Sequence, residues 1–129
     1  MKTSLSPATI APPFGAYSHG ISAQTTQIVV TSGQLGLAAD GSLAPDVAGQ
    51  AAQCLANIDA ILQEAGLGRD AVIRLNAYVT DRAHFADYMA QRDLWLAGVA
   101  VKPASTLMIV SGYTRAEFLV EVEATAVRA

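Results

Sequence analysis

Strands with apolar residues on both faces, in a chain with only two helical segments, constrain this sequence more than any other feature. Gln27 to Thr31 is almost continuously β-branched (Ile28, Val29, Val30, Thr31), and Leu107 to Val110 is apolar throughout. Such runs suit strands buried on both sides. Two helices cover only one face of a sheet, so the other face has to bury against copies of the same chain, most economically in a closed cyclic assembly. At 129 residues, 52% of them hydrophobic and 15% charged, the chain is long enough for one core and one domain, residues 1–129.

The helices follow from periodicity. Asp46 begins a helix to about Ala65, with Gly66 as its stop. Its stripe of Val47, Ala51, Cys54, Leu55, Ile58, Ile61, Leu62 and Ala65 has helical spacing with one buried face. A second helix over Ala83 to Leu96 buries Phe85, Met89, Trp95 and Leu96. The strands follow from alternation: Tyr17 to Ser22, paired as a hairpin with Gln27 to Thr31, then Val72 to Thr80, Ser105 to Val110 and Glu117 to Val127. In Val72 to Thr80, Val72, Arg74, Asn76 and Tyr78 share one face. The order ββ-α-β-α-ββ predicts an α+β fold, a single sheet with two helices on one face.

Several classes are excluded. A net charge of −3 argues against a nucleic-acid partner held through phosphates. The uncharged stretch between Lys2 and Asp40 is broken by Pro7, Pro12, Pro13, Gly15 and Gly20, so it predicts neither a membrane span nor a secretory signal. The expected location is the cytoplasm. Cys54 is the lone cysteine and lies on the buried helix stripe, which predicts an inert core thiol. Two His and one Cys without ligand spacing predict no metal site, and no phosphate-binding glycine loop is present.

Six short blocks then occur in a fixed order: Gly15-Ala16-Tyr17-Ser18; Thr31-Ser32-Gly33-Gln34; Gln50 to Gly66 with Gln53 and Asn57; Ala77 to Asp81; Pro103-Ala104-Ser105-Thr106; and Val120 to Ala126. Together they resemble the reactive intermediate deaminase (Rid, YjgF or L-PSP endoribonuclease) family over nearly the whole chain. The resemblance implies a chorismate-mutase-like homotrimer with a central β-barrel and small-molecule clefts between subunits. It also implies hydrolysis of reactive enamines and imines, such as 2-aminoacrylate, to a keto acid and ammonia without a cofactor.

The resemblance assigns Glu121 the handling of water, a role suited to a semi-buried carboxylate that relays protons. It places Tyr17 at the cleft mouth and Ser32 and Gly33 where a hydroxyl and an N–H meet the ligand. Strand period puts His19 on the face of Tyr17, as a titratable group near pH 7. Phe14 is expected to pack in the core, or else to line the same cleft or seal its loop. The family's carboxylate-binding Arg follows Pro-Ala, where this chain has Ser105, and the family's Asn on the second helix is replaced by Met89. A guanidinium–carboxylate pair is worth ~1.5–3 kcal/mol per charged hydrogen bond, so its loss argues against 2-aminoacrylate as substrate. Ser105 and Thr106 offer hydroxyls to a neutral substrate. A non-catalytic binding trimer is the alternative; RNA cleavage has no electrostatic support.

Overall fold

The structure is a computed structural model and describes residues 2–129. Its main sheet joins Gln27–Val30 (β3), Val120–Arg128 (β7), Val72–Val79 (β5) and Ala104–Ile109 (β6) in the order β3-β7-β5-β6. A short strand, Gln34–Leu35 (β4), also pairs with β7. All pairings are antiparallel except β5 with β6, which is parallel, as a strand–helix–strand crossover requires. The fold is α+β, with helices Val47–Glu64 (α1) and Phe85–Trp95 (α2) against one face.

Each helix boundary has a local cause. Asp46 caps α1 by accepting from the Gly49 N–H at 3.0 Å, and Gly66 takes the left-handed turn at φ 71° that ends it. The buried stripe of Val47, Ala51, Cys54, Leu55, Ile58 and Leu62 lies over Leu75, Ala77 and Val79 of β5 and Val120, Val122 and Ala124 of β7. Gln50 is 1% exposed and ties α1 to the loop before β7: its Nε2 donates to the Ala44 and Glu117 carbonyls, and its Oε1 accepts from the Leu119 N–H.

Three expectations change. The segment 17–22 does not form a hairpin with β3. Its strand, Gly20–Ala23 (β2), pairs instead with Lys2–Leu5 (β1) in a separate two-stranded ribbon, so the strands do not form a single sheet. The ribbon is held to β6 by the Ser18–Ala104 bridge, and β3 goes to β7, where the long last strand offers a free edge. In β5 a bulge between Val72 and Arg74 shifts the phase, so Val72 is buried with Leu75 rather than facing out with Arg74. On α2 the buried residues are Tyr88, Arg92 and Trp95, while Phe85 and Met89 are half-buried.

Paired residues share a face, so register shows what the uncovered side presents. It carries Ile28 and Val30 of β3, Thr125, Glu123 and Glu121 of β7, Asn76 and Tyr78 of β5, and Thr106 and Met108 of β6. Ile28, Val30 and Met108 are 62%, 68% and 53% exposed, so apolar side chains stand in a polar frame. Among the described residues no helix is long and apolar enough to cross a membrane.

Two buried polar residues on the helices should respond oppositely to removal. Gln50→Leu strands three buried backbone groups and is expected to cost about 2–4 kcal/mol. The Tyr88 hydroxyl is buried with no partner among the described residues, so Tyr88→Phe is expected to be neutral or stabilising. Urea unfolding followed by fluorescence of Trp95, the only tryptophan, measures both.

Candidate functional site

Strand alternation sends the expected site residues to two clefts on opposite faces of the sheet. The first, about 400 Å³, lies on the helix side between α2, β6 and the loop before β2, and is lined by Phe14, Tyr17, Phe85, Met89, Arg92, Ser105 and Leu107. Ser105 pairs with Leu75 and Leu107 with Ala77, so both point toward the helices. Phe14 is 91% exposed rather than core, because its ring stands edge-on to Tyr17 at 5.6 Å at the cleft mouth.

The second cleft, about 420 Å³, is on the uncovered face and is lined by Gly33, Tyr78, Val110, Gly112, Tyr113, Glu121 and Glu123. Between β3 and β4 the chain leaves β7, and Gly33 passes directly over the Glu121 side chain. A Cβ at Gly33 would fall 2.5 Å from the Glu121 carboxyl carbon, so any side chain there would displace the carboxylate. No acceptor among the described residues takes the Gly33 N–H. The two glutamates differ in engagement: Glu123 accepts a hydrogen bond from the Tyr78 hydroxyl, whereas no donor among the described residues reaches the Glu121 carboxylate. The Tyr113 hydroxyl donates to the Tyr78 carbonyl at 2.6 Å and closes one wall.

Tyr17 and Ser105 are therefore brought together in the first cleft, and Gly33 and Glu121 in the second. Ser32 is exposed beside Gly33. His19 lines neither cleft: its ring stands edge-on to Tyr17 at 6.0 Å and its Nε2 meets the Ala11 carbonyl, which pins the proline-rich loop. Thr106, next to Ser105 and so on the opposite face, accepts from Arg74. Arg92, Tyr78 and Tyr113 were missed by sequence reasoning. Arg92 had a signal, since Tyr88, Arg92 and Trp95 recur at helical spacing, but a charge in that position does not read as a core residue.

Electrostatics near Glu121 favour neutral forms of its neighbours. Burial, and then the Glu121 carboxylate, push the Tyr113 hydroxyl above the usual phenol range, and the hydrogen bond to Glu123 raises Tyr78. Both tyrosines thus remain O–H donors at neutral pH. Burial and Glu121 also push the Cys54 thiol from 9.0 up to about 12. No group of three or more potential metal ligands occurs among the described residues.

These raised values have one sign. The unfolded thiol and phenols ionise before the folded ones, so above about pH 9 the unfolded chain holds fewer protons and folding weakens as pH rises. Stability is expected to be flat through neutral pH and to fall between about pH 9 and pH 12, as measured by urea midpoints. Cys54 should resist thiol reagents at mildly alkaline pH until the chain unfolds.

Comparison with known proteins agrees with this architecture. The family model described as Endoribonuclease L-PSP matches residues 8–128. A 2-iminobutanoate/2-iminopropanoate deaminase of Salmonella typhimurium is 32% identical over 128 residues, covering 98% of this chain and 94% of the relative. A Rid-family protein of unknown function from Yersinia pestis superposes with a TM-score of 0.89 at 30% identity, covering 98% of each chain. The crystal structure of Escherichia coli TdcF with bound serine superposes with a TM-score of 0.75 at 26% identity, covering 98% of this chain and 99% of that one. A sheet backed by two helices, a glycine over a strand glutamate and a match over almost its full length make this chain a member of the Rid (Endoribonuclease L-PSP) family.

Proposed function

We propose that the protein is a cofactor-free enamine/imine hydrolase acting at clefts between the subunits of a homotrimer, with Glu121 as the group that activates water. The carrying observation is the unengaged Glu121 carboxylate packed under the Gly33 backbone. In the proposed reaction Glu121 takes a proton from water as the oxygen adds to the C=N carbon. It returns that proton to the nitrogen, and the carbinolamine collapses to a carbonyl and free ammonia. An enamine enters as its imine tautomer. The Gly33 N–H, which no acceptor among the described residues takes, supplies a donor near the charge that develops.

The two clefts of one chain lie on opposite faces of the sheet, which supports a site completed by a neighbour. Glu121 and Gly33 of one subunit would face the Tyr17 and Ser105 side of the next, with His19 steadying the mouth and Ser32 and Thr106 at the seam. Exposed Ile28, Val30 and Met108 supply the apolar area for that contact. The name of the Salmonella relative fits imine chemistry, whereas Ser105 in place of the family Arg argues against 2-aminoacrylate. The net charge of −3 fits a small-molecule partner rather than RNA, in the cytoplasm.

Ammonia release tests the reaction, with 2-aminoacrylate generated in situ compared with neutral and aromatic enamines. Turnover of an aromatic enamine rather than 2-aminoacrylate, reduced about 100-fold or more by Glu121→Gln, is the expected result. Absence of turnover on every substrate would leave a binding trimer, a reading favoured by the serine held in the TdcF structure. In that case a saturable thermal shift is expected without product. Light scattering should give three times the chain mass, reduced by Met108→Lys; a stable monomer would remove the shared clefts.

A further inference from the structure

We infer that Arg92 is the anion-binding residue of the first cleft, and that its ligand is a small monocarboxylate with an apolar or aromatic body. The inference deepens the proposed function and rests on it for identifying this cleft as the ligand cleft. Arg92 is 3% exposed, on the inward stripe of α2 between Tyr88 and Trp95. A guanidinium cannot shed its charge, so burial there demands acceptors for five N–H groups. One is accounted for: Nε donates to Asp93 Oδ1 at 3.1 Å. Among the described residues no acceptor meets Nη1 or Nη2.

The surroundings indicate what those groups await. Arg92 lines the cleft with Ser105 and Tyr17, which carry hydroxyls, while Phe14, Phe85, Met89 and Leu107 make the rest apolar. Overhead the loop comes close enough that a Cβ at Gly15 would lie 3.0 Å from Arg92 Nη2, so the glycine leaves room for the guanidinium. A planar fork whose Nη1 and Nη2 meet no acceptor among the described residues matches a carboxylate bidentately, a match lysine cannot make. Asp93, half-exposed on Nε, offsets part of the charge, which suits one negative charge on the ligand rather than two. The cation lost from the strand at Ser105 is thus replaced across the same cleft, from the helix. The short serine leaves space for a larger ligand body.

The test uses benzoate and its neutral isostere benzamide as probes, titrated into the assembled protein and followed through the guanidinium NMR signals of labelled arginine. Benzoate is expected to shift the Arg92 signal saturably and to bind about tenfold or more tighter than benzamide. Arg92→Lys should weaken benzoate about tenfold, and Arg92→Met should abolish the preference. Adding Ser105→Arg to Arg92→Met should restore it. Equal binding of the two probes, an Arg92 signal that does not move, or a preference that survives Arg92→Met would overturn the inference. If Arg92→Met does not fold, the wild-type signal and Arg92→Lys decide alone. None of these readouts needs turnover: Arg92-dependent benzoate binding without ammonia release removes the hydrolase and keeps this site. Turnover with a KM indifferent to Arg92→Lys does the reverse.

Discussion

The packing of one helix on two strands governs this protein. Cys54, Leu55, Ile58 and Leu62 of α1 cover Leu75, Ala77 and Val79 of β5 and Val120, Val122 and Ala124 of β7. A strand has a period of two, so every residue between those core positions must face the other way. Tyr78, Glu121 and Glu123 are sent together to the uncovered face by the same apolar contacts that stabilise the fold. Slipping β7 by one residue would bury both glutamates and expose the valines, so the site's register is held by the hydrophobic core.

The same alternation separates the chemistry into two halves. A carboxylate that no donor among the described residues reaches lies on one side of the sheet beneath Gly33, and a buried cation lies on the other side beneath Gly15. Within one chain the two cannot neutralise each other, which leaves the carboxylate available as a base and the guanidinium available for an anion. An assembly that stacks the uncovered face of one chain on the β6 edge of the next would bring base and anion anchor to one ligand. The apolar residues among the polar ones on that face would provide the adhesion.

Much of this was legible in the residues. The Asp46 cap, the α1 stripe and the Gly66 stop are local signals, and α1 runs Val47–Glu64 as they imply. The alternation of β7 told inward valines from outward glutamates, and the resemblance singled out Glu121 and Gly33, which the fold brings into contact. Partner choice among strands was not legible. Ile28 to Val30 carries the same pattern whether it pairs with its sequence neighbour or with Val127 across the sheet, and the N-terminal strand that claims Gly20–Ala23 has polar residues at three of its four positions. Nor does a bulge announce itself, so Val72 looked outward-facing.

What the sequence determined by itself is periodicity and caps, because those depend on residues within a few positions of one another. It settled the two helices and the strands other than β1 and β4, the one helix-covered face and the face on which Glu121 stands. Only the tertiary structure decided which strands pair, that Gly33 closes over Glu121, and that a buried Arg92 lines the same cleft as Ser105. Those depend on residues far apart in the chain, whose distances no local pattern encodes.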